Sequence, residues 1–213
     1  MILVDTYLIR TPRLTLRCWN PADAPLLRAA LTPETIAYLR PWLDWAWEEP
    51  RSPEETVAYL RACRGKFDLD QDYTFGIFTR DESAVLGGTG LHLRSKPYVR
   101  EIGYWIRREA AGEGYATEAA AALTQVAFRF HRAARVEIHC DPENHASAAV
   151  ARKLGFTHEA TLRARTKRHD GRWHDAMLWT MLPEEFPASP CADLPIEVLD
   201  ALGKPGRAYP SGG

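Results

Sequence analysis

The chain has 213 residues, which is the size of one large domain, since domains usually run to about 100–200 residues. Hydrophobic residues make up 46% and charged residues 26% of the sequence, so a disordered or fibrous protein is excluded. Lys and Arg number 27 against 28 Asp and Glu, giving a formal charge of −1. No global electric field therefore draws the protein onto nucleic acid or an anionic membrane.

The N-terminus and the cysteines bear on the cellular compartment. No apolar run approaches the roughly 18–20 residues of a membrane span, and the first residues include Asp5 and lack a signal-peptide cleavage site. The four cysteines lie too far apart for a disulfide framework or for paired metal ligands; they are Cys18, Cys63, Cys140 and Cys191. The sequence predicts a cytoplasmic protein with reduced thiols, no membrane partner and no metal.

The first third of the chain predicts a strand followed by helices. Residues 13–17 alternate polar and apolar side chains, as a half-buried strand does. Asn20 is suited to a helix N-cap, with Pro21 at the first helical position. Ser52 and Glu55 have the spacing of a capping box, which predicts the start of another helix.

The remainder predicts a mixed sheet. Strands are expected at 73–78, 85–93, 102–106 and 135–140, helices at about 117–130 and 144–153, and a final hairpin at 157–165 and 174–182. Strands, helices and a strand–helix–strand crossover in this order predict one mixed α/β domain over residues 1–182. The Pro- and Gly-rich tail, 183–213, predicts a short helix at 196–202 and is otherwise expected to be loose and partly disordered.

The most informative stretch is the loop 110–117, with the sequence AAGEGYAT, which follows a predicted strand and opens a helix. Glycines let backbone N–H groups approach an anion, and a helix N-terminus favours negative charge. The loop is either a phosphate cradle or an ordinary tight turn. A dinucleotide fold is disfavoured because Thr117 replaces the third glycine of its fingerprint and several strands come first; a Walker A motif is absent from the sequence.

A second motif makes the pattern specific. Asn144 and Ser147 follow the glycine loop, and Leu154-Gly155-Phe156 follows them. Together with Gly114 and Ala116, these residues resemble the motifs of the GNAT superfamily of acyl-CoA N-acyltransferases. Four more segments resemble its RimJ/RimL-like branch, which acetylates ribosomal-protein N-termini: LRPWLDWA at 39–46, EIGYWI at 101–106, GYATEA at 114–119 and DAMLW at 175–179. The resemblance runs from Tyr7 to Leu182.

This resemblance implies a fold and a cosubstrate. The fold is a mostly antiparallel sheet in which two parallel strands, here 99–106 and 135–140, splay apart and hold CoA. Acetyl-CoA is the implied cosubstrate, and the amine attacks the thioester directly. The residues that the resemblance implies for CoA binding are Trp105, Ile106, Arg107, Gly112, Glu113, Gly114, Tyr115, Ala116, Thr117, Asn144 and Ser147.

The resemblance also implies catalytic roles. Ser147 is expected to protonate the leaving thiolate, the alternative being an ordinary helix-surface serine. Glu101 is the candidate base, directly or through a water, the alternative being a solvated ion-pair partner. Acceptor contacts are expected from Trp42, Trp45, Glu101 and Tyr104. Trp47 is expected to line the acceptor groove together with Trp42 and Trp45, although packing of the core explains the three tryptophans nearly as well.

Two departures from the family pattern matter. Ala111 occupies the loop position where the family has Gln or Arg, and residues 163–166 contain no acid where some relatives have a base carboxylate.

The function that these residues imply is transfer of an acetyl or related acyl group from acyl-CoA to a primary amine, foremost a protein N-terminal α-amine. Alternatives are a small-amine or antibiotic acetyltransferase and a non-catalytic acyl-CoA-binding regulator. The basic residues between 163 and 172 read as a solvated hairpin, so nucleic acid is not an expected partner. A monomer or a homodimer is expected.

Overall fold

The computed structural model describes residues 6–94 and 98–208, and the strands of these residues form a single sheet. The strands are β1 (Leu8–Arg10), β2 (Leu14–Cys18), β3 (Tyr73–Thr79), β4 (Val85–His92), β5 (Val99–Ile106), β6 (Arg135–Cys140), β7 (Thr157–Lys167), β8 (Trp173–Met181) and β9 (Glu197–Leu199). The helices are α1 (Ala24–Ala30), α2 (Pro33–Leu39), α3 (Pro53–Asp68), α4 (Tyr115–Arg129) and α5 (His145–Lys153). The sheet order is β7-β8-β6-β5-β4-β3-β2-β1-β9.

The centre of the sheet contains the predicted splayed pair. β5 and β6 run parallel, whereas the other neighbouring strands of the sheet are antiparallel. Their ladder begins at Val99 opposite Arg135 and ends at Glu101 opposite Glu137. β5 nevertheless continues to Ile106 and β6 to Cys140, so a gap opens between the two strands. The predicted mixed α/β fold with a splayed parallel pair is confirmed.

The helices cover both faces of the sheet. Because side chains alternate between the faces of a strand, β5 shows which helices lie where. Ile102 and Ile106 belong to the buried cluster that includes α4, whereas Trp105 packs on a second cluster built from α1, α3 and Trp19. We refer to the two sides of the sheet as the α4 face and the α3 face. A ligand in the gap therefore meets different groups on the two faces.

Local sequence signals explain where the N-terminal helices start. The Asn20 side chain accepts a hydrogen bond from the backbone N–H of Ala22, capping a short 3-10 turn that leads into α1. Ser52 and Glu55 form the predicted capping box of α3. Each cap satisfies N–H groups that have no partner within the helix, which fixes the first turn.

The tail differs from the sequence prediction. The predicted helix at 196–202 is wrong, because Glu197–Leu199 form β9 and pair antiparallel with β1. The Gln125 side-chain amide of α4 donates to the carbonyls of Cys191, at 2.8 Å, and Leu194, at 2.6 Å. Cys191 is fully buried. Residues 186–199 are thus partly packed against the domain, with Phe186, Cys191 and Val198 buried, and β9 covers the edge that β1 would otherwise leave unpaired.

Two further observations concern membranes and metals. In residues 6–94 and 98–208, no helix is long and apolar enough to cross a membrane. Within the same ranges, no group of three or more His, Cys, Asp or Glu side chains is arranged to hold a metal ion.

Candidate functional site

A cavity of about 930 Å³ passes through the gap between β5 and β6 and is lined by helices from both faces of the sheet. Most of the residues predicted for the site line this cavity: Trp42, Trp45, Glu101, Tyr104, Trp105, Ile106, Gly112, Gly114, Tyr115, Ala116, Thr117, Asn144 and Ser147. Arg107 and Glu113 are not among its lining residues. The fold therefore brings together the glycine loop, the start of α5 and the tryptophan segment, which are far apart in sequence.

The glycine loop presents free amides at the start of α4. Gly112 and Gly114 have φ angles of 88° and 81°, in the left-handed region that favours glycine. Gly114 is the N-cap and provides no side-chain cap, and the N–H groups of residues 112–117 have no partner among the described residues. These N–H groups and the helix dipole together favour an anion, as predicted for a phosphate cradle.

Hydrogen bonds of the Glu118 carboxylate connect the first turn of α4 and the glycine loop to residues 11–13; we call this network the brace. Its Oε1 accepts hydrogen bonds from the Thr11 hydroxyl at 2.6 Å and from the Arg13 backbone N–H at 3.0 Å. Its Oε2 accepts from Arg13 Nε at 2.6 Å, while Arg13 Nη1 donates to the Glu113 carbonyl at 2.9 Å. Sequence reasoning missed this brace because its partners lie more than 100 positions apart and no local pattern joins them.

Removing the charge of Glu118 is expected to weaken this network and lower the free energy of unfolding. Glu118→Gln keeps the size of the side chain but removes the charge of a buried carboxylate that accepts three hydrogen bonds. Hydrogen bonds to charged groups contribute about 1.5–3 kcal/mol each, and the amide retains some of them, so we expect a loss of about 1–3 kcal/mol in unfolding free energy. Denaturant unfolding measures this loss. Glu197→Gln is the control, because the Arg10–Glu197 pair is exposed; an equal loss in both variants would contradict the brace.

The two arginines near the loop, Arg107 and Arg108, have different surroundings. The Arg108 guanidinium lies over the ring of Tyr38, 5.2 Å from its centroid, and so faces α2. Arg107 Nε is buried and has no partner among the described residues. The CoA contact of Arg107 stays a prediction.

Ser147 lies at the start of α5, facing the gap. The Asn144 side chain caps α5 by accepting from the Ser147 backbone N–H at 3.1 Å. The Tyr104 hydroxyl lies 2.9 Å from Ser147 Oγ and donates to the Ser147 carbonyl at 3.2 Å. Burial raises the pKa of Tyr104, so its hydroxyl stays protonated. Tyr104 is thus placed beside Ser147, whereas Trp42 and Trp45 approach the cavity from the segment after α2.

Trp45 and Trp47, which are close in sequence, have different surroundings. Trp45 packs edge-on against Trp105, with ring centroids 5.6 Å apart, and both line the cavity. Trp47 does not line it: the ring stacks on His169 at 4.5 Å, and its Nε1 donates to the Arg40 carbonyl at 3.2 Å. The expectation that Trp47 contacts the acceptor is therefore not supported by its position.

The turn between β7 and β8 closes one end of the cavity. Arg168 Nη2 donates to Asp141 at 2.9 Å, Arg168 Nη1 donates to the Pro41 carbonyl, and His174 Nδ1 lies 3.0 Å from the same Asp141 oxygen. Part of the basic run predicted as a solvated hairpin is thus bound within the protein.

Glu101 lies on the α3 face, directly opposite His92 of β4. Arg94 Nη2 donates to its carboxylate at 3.1 Å. His92, which sequence reasoning missed, lines the same cavity, with Nδ1 3.0 Å from both carboxylate oxygens of Asp72. Burial alone would raise the pKa of Asp72, but the hydrogen bond with His92 and the nearby positive charge, to which Arg94 contributes, outweigh it and lower that pKa. Glu101 as the base stays a prediction.

Comparison with known proteins identifies the family. The profile described as "Acetyltransferase (GNAT) domain" matches residues 13–157. The chain belongs to the GNAT acetyltransferase family. It is an acyl-CoA-dependent N-acetyltransferase.

Three relatives span most of this GNAT chain. The protein p20 of Bacillus licheniformis, an N-acetyltransferase by name, is 31% identical over 180 residues, covering 83% of this chain and 96% of p20. The [ribosomal protein uS5]-alanine N-acetyltransferase of Escherichia coli is 26% identical over 180 residues, covering 84% and 92%. The structure of RimL, a ribosomal L7/L12 α-N-protein acetyltransferase in complex with CoA, superposes with a TM-score of 0.74 at 25% identity, covering 82% and 97%.

Proposed function

We propose that this enzyme transfers the acetyl group of acetyl-CoA to the N-terminal α-amine of a protein. The observation that carries the proposal is the continuous cavity, which joins the free amides of the glycine loop to a tryptophan-lined face through the gap between β5 and β6. Two relatives named for acetylating ribosomal proteins support the choice of acceptor, at 26% and 25% identity.

In this proposal the loop 112–117 binds the CoA pyrophosphate through its amides, since an anion is favoured there. The pantetheine arm lies in the gap, where peptide groups of β5 beyond Glu101 have lost their parallel partner and offer hydrogen bonds. The acceptor amine approaches from the α3 face and attacks the carbonyl carbon. Ser147, on the other side of the gap, gives its proton to the leaving sulfur.

The chemistry of the acceptor favours an α-amine over a lysine. A protein α-amine ordinarily has a pKa of about 7.7–8.0, whereas that of a lysine is about 10.4, so the α-amine needs far less help to become a neutral nucleophile. Trp45 and Trp105 provide an apolar wall for the residues that follow the amine, and Glu101 provides a carboxylate near it.

An acceptor panel tests the proposal. The purified protein is given acetyl-CoA with a serine-starting peptide, the same peptide with a blocked α-amine and an internal lysine, or a polyamine, and thiol release is measured. We expect turnover with the free α-amine and little with the blocked peptide. Turnover with the polyamine alone would establish the small-amine alternative, and tight CoA binding without turnover would establish the regulator.

A further inference from the structure

We infer that His92 is the base of the transfer reaction, taking the proton of the attacking amine at Nε2, and that Asp72 is the residue that positions its imidazole. This inference rests on the proposed function. It assigns the base to a side chain that no motif indicates, in place of Glu101.

The Asp72 carboxylate determines the tautomer of His92. His92 Nδ1 lies 3.0 Å from Oδ1 and 3.0 Å from Oδ2 of Asp72, and the Asp72 carboxylate can only accept. Nδ1 therefore holds the proton of the neutral ring, which leaves Nε2 as the atom that can take a proton. In the described part of the chain, Nε2 has no hydrogen-bond partner. A carboxylate that orients an imidazole in this way also stabilises the imidazolium that forms when the ring takes a proton.

Three glycines make room for the His92 ring and for the neighbouring Trp105 ring. Gly88, Gly90 and Gly103 share the α3 face with His92 and Trp105. A Cβ atom built on Gly90 would lie 2.6 Å from His92 Cε1, and one built on Gly103 would lie 3.2 Å from His92 Nε2. A Cβ on Gly88 would lie 2.5 Å from Trp105 Nε1. The imidazole and the indole therefore pack directly against these glycines of β4 and β5, where a larger residue would place a Cβ atom against the rings.

His92 lies close to the point at which β5 and β6 separate. The parallel ladder stops at Glu101, so the gap opens beside residues 102–106 of β5. His92 Nε2 lies over Gly103 on the α3 face, and the next residue, Tyr104, reaches Ser147 with its hydroxyl. The candidate base and the candidate acid therefore flank the same two residues of β5, the base where the amine enters and the acid where the sulfur leaves.

His92 and Glu101 differ in their suitability as the base. A carboxylic acid such as glutamic acid ordinarily has a pKa of about 4.3 and an imidazole one of about 6.5, so imidazole is the stronger base toward an amine near neutral pH. Glu101 already accepts a hydrogen bond from Arg94. Its carboxylate is suited to attracting the cationic acceptor, which is a binding role.

Two proton transfers accompany the proposed reaction, one from the amine and one to the leaving sulfur. The neutral amine nitrogen attacks the carbonyl carbon of the thioester, forming the C–N bond, and the proton that this nitrogen loses goes to His92 Nε2. The C–S bond breaks, its electron pair leaves with sulfur, and the thiolate takes the Ser147 hydroxyl proton. Ser147 is then reprotonated from solvent while the imidazolium returns its proton to solvent, so the products are the amide and free CoA.

Other ionisable groups share this cavity and bear on its pH dependence. From the strands and helix that surround His92 they include Cys63, Lys66, Asp72, Arg94, Glu101 and His139. His139 is the other histidine of the α3 face near the gap, but its Nε2 is engaged by Glu137 at 2.9 Å. The experiment therefore has to separate His92 from both Glu101 and His139.

The test measures kcat and KM against pH for wild-type protein, His92→Gln, Glu101→Gln and His139→Gln, with acetyl-CoA and the serine-starting peptide. The ionisation of the peptide is common to every profile, so a difference belongs to the enzyme. We expect His92→Gln to lower kcat by about 10²–10⁴-fold near neutral pH. We also expect its profile to lack the acidic limb, which is the fall of kcat at low pH caused by protonation of the base in the enzyme. Glu101→Gln is expected to raise KM and keep that limb. Loss of the limb in Glu101→Gln or His139→Gln, with His92→Gln unaffected, overturns the inference.

Two further variants separate a positioning role from a structural one. Asp72→Asn keeps a hydrogen-bonding partner but removes the charge that stabilises the imidazolium, so the acidic limb is expected to move to lower pH. His92→Ala is expected to regain activity when free imidazole is added. The inference would be overturned, and the proposed function left standing, if both variants fold and bind CoA like the wild type but Asp72→Asn keeps the acidic limb at its wild-type pH and imidazole does not rescue His92→Ala. A wild-type protein that acetylates no member of the acceptor panel would overturn both the inference and the proposed function.

Discussion

Ser147→Ala is expected to lower kcat by about 10²–10⁴-fold while changing the Kd of acetyl-CoA by less than about threefold. The reason is that the sulfur needs a proton only as the C–S bond breaks, so the hydroxyl stabilises the transition state and not the bound thioester. The backbone N–H of Ser147 that bonds Asn144 survives the substitution, and α5 keeps its cap. Steady-state kinetics and calorimetric titration with acetyl-CoA measure the two quantities.

The matched control for this variant is Ser83→Ala. Ser83 is exposed in the turn between β3 and β4, where its hydroxyl donates to Asp81 at 2.8 Å, remote from the cavity. The same atom is deleted, and wild-type kcat is expected. A loss in Ser147→Ala smaller than about threefold would reject the acid role and make Ser147 a helix-surface serine that Tyr104 happens to contact.

Gly114→Val is expected to weaken acetyl-CoA binding by at least about a hundredfold, or roughly 2.7 kcal/mol. The reason is the conformation of the backbone at Gly114 and not a lack of space for a side chain. A Cβ at Gly114 would lie 3.5 Å from Arg13 Nη2, which is ordinary contact. The obstacle is the φ of 81°, which a β-branched residue rarely adopts, so the loop must change conformation and its amides no longer converge.

Gly203→Val is the control for backbone strain. Gly203 has a φ of 71° with no atom within 4 Å of an added Cβ, and it does not line the cavity. Both variants carry similar local strain, and thermal unfolding compares their stability. Wild-type CoA affinity in a folded Gly114→Val protein, or an equal loss in both variants, would show that the loop does not bind the pyrophosphate.

Local patterns were sufficient for the elements that form from neighbours in sequence. The alternation in 135–140, the alanine-rich α4 and the Asn144 cap each depend on contacts within a few residues, and the structure has them where they were predicted. The splayed strands could be anticipated only because the motifs resemble a family.

Contacts between distant residues decided the rest. The sequence by itself determined the glycine loop, the serine at the start of α5 and the enzyme family that they imply. It did not determine that Glu197–Leu199 would be a strand, because β1 supplies the hydrogen bonds that outweigh a weak helical tendency. Nor did it reveal the Asp72–His92 pair, whose members are 20 positions apart and meet only because β3 and β4 pair side by side. A histidine in a strand has no distinguishing pattern; its chemistry depends on which carboxylate and which open space the folded sheet places beside each ring nitrogen.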